Sequence, residues 1–120
     1  MKIAIVGSRG YKNLGNVRAE MERFALTDID DPAPTIISGG AIGPDSEAEV
    51  YAKDLGWPTE IYLPDWKAYG KSAGFIRNSR IVAEANVVWA FWDGLSRGTL
   101  DTIQKATVRG IQVIIFPDTP

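Results

Sequence analysis

The sequence of 120 residues contains no cysteine and no histidine. Without cysteine there is no disulfide staple and no thiolate nucleophile. Without histidine, the commonest general base near neutral pH and the commonest metal ligand are both missing. Any catalysis would fall to carboxylates, lysine, tyrosine or bound water. No resident cofactor is expected; a carboxylate-bound magnesium beside phosphates is the one metal the composition leaves room for. No apolar run approaches the roughly 18 residues of a membrane span. The opening MKIAIVG is too short for a secretory signal and reads as a strand. A cytoplasmic protein with no membrane partner is therefore expected. A basic excess is missing too: 13 Lys and Arg against 15 Asp and Glu leave a net charge of −2. Polyanion-binding domains usually carry a basic patch or a pI above about 9. The sequence pI here is about 5.1, so nucleic acid is not the expected partner.

Hydrophobic residues make up 45% of the chain, enough for one core at a length that suits one domain over residues 1–120. Apolar runs and helical patterns alternate along it. Lys2 to Val6 is a strand that ends in Gly7. Val17, Met21, Phe24 and Ala25 share one helix face, with Asn16 at the N-cap position. Asp28 to Pro34 is an acidic, proline-broken loop, and Thr35 to Ser38 is a second strand. Gly43-Pro44 opens a helix with Ala48, Ala52 and Leu55 on its buried face and Gly56 as its stop. Thr59 to Leu63 is a third strand and Asp65 to Gly74 a polar, aromatic loop. A third helix covers Phe75 to Ala85, its start drawn toward Ser72. Asn86 to Phe91 is nearly continuous in apolar residues, as suits a strand buried on both faces. Thr99 to Arg109 is a fourth helix stopped by Gly110, and Ile111 to Phe116 is a fifth strand. The pattern predicts an α/β fold, a Rossmann-like doubly wound sheet of about five parallel strands with helices on both faces. Ligands of such folds bind beyond the carboxyl ends of the strands.

The strand-to-helix turns carry the polar chemistry. Gly7-Ser8-Arg9-Gly10 offers backbone N–H groups, a hydroxyl and a guanidinium at one spot, an anion cradle. It is not the dinucleotide fingerprint, because Arg9 and Lys12 stand where glycines are required and Ser38 replaces the acidic residue after strand two. Ser38-Gly39-Gly40-Ala41-Ile42-Gly43-Pro44-Asp45 lets backbone approach a ligand closely ahead of a helix N-terminus. Asp45 and Glu47 either complement that helix dipole or, for Asp45, take a ribose hydroxyl. Arg77 can aim a bidentate fork at a phosphate, with Asn78 beside it. The turn after strand four holds Asp93, a turn former or acid, then Ser96, Arg97, Gly98 and Thr99. One of the two hydroxyls there is expected to cap the helix. Trp66, Tyr69 and Trp92 sit in loops at the same sheet edge, as core or as platforms for a base.

In order and spacing these segments resemble the short YspA-like branch of the SLOG superfamily. The segments are Gly7 to Arg9, Ser38 to Asp45, Asp65-Trp66, Gly70-Lys71 through Ala73-Gly74 to Arg77-Asn78, and Ala90 to Gly94 followed by Ser96 to Thr99. That superfamily also holds the LOG phosphoribohydrolases, the molybdenum-cofactor carrier proteins and DprA. The resemblance implies a Rossmann-like fold and a nucleotide-derived ligand such as a nucleoside phosphate, NAD or ADP-ribose. Several members serve as sensors in defence systems of bacteria and their phages. One position departs: the LOG pattern P-G-G-x-G-T-x-x-E ends in a catalytic glutamate, and Thr102 stands there. Asp101 is about 100° away round the helix. The expectation is a binding protein (a sensor, carrier or sequestering module) with Gly7, Ser8, Arg9, Ser38, Gly39, Gly40, Gly43, Asp45, Trp66, Arg77, Asn78, Trp92, Ser96, Arg97, Gly98 and Thr99 as its site. The alternative is a LOG-like nucleoside-monophosphate phosphoribohydrolase or N-glycosidase. Relatives of this branch also suggest a homo-oligomer, such as a dimer.

Overall fold

Side chains along the first strand, β1 (Lys2–Gly7), alternate between two separate cores. Ile3 and Ile5 point to one face, where Val87, Trp89 and Phe91 of β4 (Val87–Trp92) join them. That face is covered by Val17 and Met21 of α1 (Gly15–Thr27) and by Ala48 and Ala52 of α2 (Pro44–Leu55). Ala4 and Val6 point the other way, with Val88 and Ala90. Ile81 and Val82 of α4 (Ala73–Glu84) and Ile103 and Ala106 of α5 (Arg97–Val108) close that side. The period of two on the strands and the helical spacing on the helices thus meet in a three-layer stack. Burying each Ile or Val contributes roughly 1.5–3 kcal/mol, which explains why the two central strands carry almost nothing polar.

The computed structural model describes residues 1–27 and 32–118. Its sheet has five parallel strands in the order β3-β2-β1-β4-β5, with β2 at Thr35–Ser38, β3 at Thr59–Ile61 and β5 at Gln112–Pro117. This is the doubly wound α/β arrangement that the sequence predicts. The first two crossovers step outward from β1, and the chain then returns to lay β4 on its other side, with Ile3 opposite both Ile36 and Val87. The order reverses between β1 and β4, and a crevice opens beyond their carboxyl ends.

Several boundaries differ from the sequence expectation. Asn16 is not an N-cap: helix α1 starts at Gly15, and the Asn16 amide donates instead to the Tyr11 hydroxyl at 3.0 Å. The third strand ends at Ile61, because Pro64 has no N–H with which to extend the ladder. The expected loop from Asp65 to Gly74 contains a short helix, α3 (Trp66–Tyr69), and a single 3-10 turn (Gly70–Ser72) before α4 begins at Ala73. Asp65 caps α3 by accepting from the Ala68 N–H at 3.1 Å, a signal the aromatic content of the segment obscured. Helix α5 starts two residues early, at Arg97. Strand β5 starts one residue late, since the Ile111 N–H closes the helix onto the Ala106 carbonyl. Of the acidic loop, Asp28 to Asp31 lie outside the described residues. Among the described residues, no helix is long and apolar enough to cross a membrane.

Candidate ligand-binding site

The exit of β1 is shaped by one close approach. A Cβ on Gly7 would lie 2.6 Å from Pro44 Cβ and 2.7 Å from the Phe91 carbonyl oxygen. Only glycine lets the start of α2 seat against both central strands. The buried Ser8 donates its N–H to the Phe91 carbonyl at 3.1 Å. Its hydroxyl accepts from the Asp93 N–H at 3.2 Å and lies 3.3 Å from Thr99 Oγ1. Ser8 therefore ties the turn after β1 to the turn after β4. Arg9 follows it, exposed.

The turn after β2 is held from behind. Ser38 Oγ donates to Glu49 Oε2 at 2.6 Å and accepts from the Gly40 N–H at 3.0 Å. Asp45 Oδ2 accepts from the Gly39 N–H at 2.9 Å. Burial pushes the Asp45 carboxyl up to about 6, against the backbone N–H groups of Gly39 and Ala41 and the charge of Arg77, which favour its ionised form. Arg77, on α4, donates from Nη1 to the Gly39 carbonyl at 2.5 Å and from Nε to Asn78 Oδ1 at 2.9 Å. Its own pKa is lowered by burial, with Asp45 opposing the shift.

The turn after β4 completes the site. Asp93 Oδ1 accepts from the N–H groups of Leu95 and Ser96 at 2.8 and 2.9 Å, and these bonds hold its pKa below the usual carboxylate range. Ser96 is the hydroxyl that caps α5, accepting from the Thr99 N–H at 3.4 Å, while Thr99 turns toward Ser8. Trp92 donates its indole N–H to the Ser96 carbonyl at 3.0 Å. Asn78 donates to the Gly98 carbonyl at 3.2 Å and to Asp101 at 3.1 Å. Asp101 also pairs with Lys105 at 2.7 Å, on the α4 side of the helix and out of the crevice. Thr102 is buried, one turn beyond Gly98.

These turns enclose a cavity of about 210 Å³ at the point where strand order reverses. Of the residues singled out from sequence, Gly7, Arg9, Asp45 and Arg77 line it. So do Asn78, Ser96, Gly98 and Thr99. Ser8, Ser38, Gly39, Gly40 and Gly43 belong to the same turns without lining it, and Trp66, Trp92 and Arg97 lie outside it. Val6, Ala41, Ile81 and Thr102 line it as well. Ala41 was legible as part of the glycine turn and Thr102 as the position of the missing glutamate. Val6 and Ile81 carry no signal, because their periodicity reads only as core. Among the described residues no three His, Cys, Asp or Glu side chains cluster to hold a metal.

No family model matches the chain. It is 34% identical over 128 residues to the Gene 61 protein of Mycobacterium phage D29, across 99% of this chain and 98% of that protein. The chain belongs to the family of that phage protein. The family's fold has a solved counterpart in the X-ray structure of DNA processing protein A (DprA) from Streptococcus pneumoniae, with a TM-score of 0.76 and 21% identity. The likeness covers 98% of this chain and 50% of the DprA chain. At that identity the likeness is one of fold, and the family member spans half of DprA's length.

Proposed function

We propose that the crevice between β1 and β4 binds the phosphate-bearing part of a nucleotide-derived small molecule, and that the protein acts by binding: as a sensor, carrier or sequestering module. The observation that carries this reading is the convergence of Arg9 and Arg77 with the first turns of α2 and α5 on one cavity. Helix N-termini present unpaired N–H groups and a partial positive charge to an anion, and a guanidinium adds a forked donor. Gly39, Gly40 and Gly43 shape the backbone of the turn behind it. The DprA-like fold supports the resemblance to the SLOG superfamily and with it a nucleotide as ligand. The same resemblance extends the proposal to a role in defence or counter-defence, a setting in which a phage-encoded relative is at home.

A second reading is favoured by Asp45. A buried carboxyl that titrates near 6 beside an arginine, facing a cavity, is suited to general acid–base work. In that reading the protein cleaves an N-glycosidic bond. Thr102 counts against it, since a hydroxyl cannot replace the carboxylate of the LOG motif.

A thermal-shift screen with AMP, ATP, NAD, ADP-ribose and cyclic ADP-ribose isomers tests both readings when each mixture is then chromatographed. A raised melting temperature with the ligand recovered intact is the expected result. Release of free base would replace the binder with an enzyme. A salt-sensitive shift with single-stranded oligonucleotide alone would replace both with a nucleic-acid binder.

A further inference from the structure

The two edges of the sheet are finished in opposite ways. The β3 edge has three residues and is bracketed by Pro58 and Pro64. Its middle residue, Glu60, carries a charge paired with Lys2 at 3.0 Å. A short, charged, proline-flanked strand is guarded against edge-to-edge pairing. Strand β5 has none of these guards. It is six residues long, QVIIFP, with no charged residue and its one proline at the far end. Its outer edge pairs with nothing among the described residues. We propose that this edge is an interface between two copies of the chain, in which β5 pairs antiparallel with β5 of a second copy across a two-fold axis.

The side chains agree with the bare backbone. Phe116 packs on Trp89 and Phe91 on the α1/α2 face, so Gln112 and Ile114 share that face. Val113 packs on the α4/α5 face, so Ile115 shares that one. Ile114 and Ile115 are 36% and 45% exposed. Both faces of β5 thus carry a large apolar side chain that the chain's own helices leave partly bare. An edge strand built only to meet water would be polar on at least one of them.

Register and charge point to a second copy as the occupant. A two-fold axis normal to the sheet sets each residue opposite one of the same face. With Ile114 opposite its own copy, Val113 lies opposite Ile115 and Gln112 opposite Phe116. That register covers both isoleucines. It also leaves Pro117, which has no N–H, outside the paired stretch. Gly110 then lies opposite Asp118, so Arg109 of each copy comes beside the other copy's Asp118. Arg109 is exposed and makes no ion pair among the described residues. Asp118 accepts from the Lys12 and Asn13 N–H groups at 2.7 and 3.2 Å, and a carboxylate has acceptor sites to spare. With a cation before the strand and an anion after it, β5 is complementary to itself only when antiparallel.

The pairing is also closed. Each copy has one unguarded edge, and the outer edges of the joined sheet are the guarded β3 strands, so assembly stops at a dimer. Because strand direction reverses at the axis, the two crevices open at opposite ends of the joined sheet and both stay accessible.

Light scattering and sedimentation over a concentration series test the interface on the wild type, Ile114→Lys and Val50→Lys, each checked for folding by circular dichroism. Val50 is exposed on α2, away from β5. The wild type is expected to be a dimer. Ile114→Lys sets two like charges opposite each other and should weaken it at least about tenfold, while Val50→Lys should leave it unchanged. The chain has no cysteine, so Ile114→Cys gives a positional readout that does not depend on the lysine variant folding. Opposite residues of an antiparallel pair have Cα atoms about 4.5–5.5 Å apart, within the reach of a disulfide. Mild oxidation should join Ile114→Cys chains into a covalent dimer and leave Val50→Cys chains single. A wild type that is monomeric at every concentration, a dimer indifferent to Ile114→Lys, or Ile114→Cys chains that join no faster than Val50→Cys chains overturns the interface.

Discussion

The guanidinium of Arg77 donates to the carbonyl oxygen of Gly39 at 2.5 Å, across 38 residues of sequence. Helix α4 is thereby tied to the turn after β2, and the same arginine lines the crevice beyond β1 and β4. Arg77→Ala should lower nucleotide affinity by at least about tenfold. It should also cost about 1–3 kcal/mol of stability, because the Gly39 carbonyl loses its partner. Arg77→Lys should recover little, since an ammonium cannot hold Gly39 and Asn78 in one plane. Calorimetry with urea denaturation checks both effects; affinity within about threefold of wild type would remove Arg77 from the site.

Gly7→Ala should damage the fold before it damages binding. Its Cβ would meet Pro44 and the Phe91 carbonyl well inside contact distance, and the second of these is backbone that cannot rotate away. Overpacking of this kind costs about 1–3 kcal/mol, and more where nothing yields. A melting temperature close to wild type would show that α2 can shift off β1.

Gly40→Val should act in the opposite proportion. Gly40 is exposed and adopts φ +72°, where a β-branched residue is strained, and its Cβ would press on the end of the Leu63 side chain. The strain costs about 1–2 kcal/mol, while the displaced turn should abolish nucleotide binding. A folded Gly40→Val protein of undiminished affinity would detach the glycine turn from the ligand.

Asp45 makes stability depend on pH. Its carboxyl titrates near 6 in the folded protein against an ordinary 3.8. Between these values the native state holds a proton that the unfolded chain has released, so stability falls as pH rises through the window. Relative to Asp45→Asn, the wild type should lose on the order of 2–3 kcal/mol between about pH 4 and pH 6.5. Urea midpoints at both pH values for both proteins measure this, and parallel profiles would show that Asp45 is ionised throughout.

Much of the architecture is written in short windows of sequence. The alternation in β1, the apolar run of β4 and the Ala48/Ala52 face of α2 each report burial within a few residues, because hydrophobic periodicity is a local record of which side faces the core. The glycine turns were legible for the same reason, and they lie where the parallel order puts them. The two-sided core follows once right-handed crossovers are applied to that pattern, whereas the strand order β3-β2-β1-β4-β5 and its reversal between β1 and β4 do not, because the same alternation and handedness fit other doubly wound orders.

Tertiary structure alone decided what the polar groups do. Ser8 and Ser38 look like ligand hydroxyls in sequence, and folding places Asp93 and Thr99 around one and Gly40 and Glu49 around the other. Arg77 could aim at a ligand from sequence, but its hold on Gly39 and its place in the cavity lining depend on how α4 packs. Short α3, with Tyr69 at its end, was hidden in a segment too short to show a period. The physical reason is common to all of these. Burial patterns are set by neighbours within a turn or two, whereas a hydrogen-bond partner or a cavity wall is supplied by whichever segment the crossovers bring alongside.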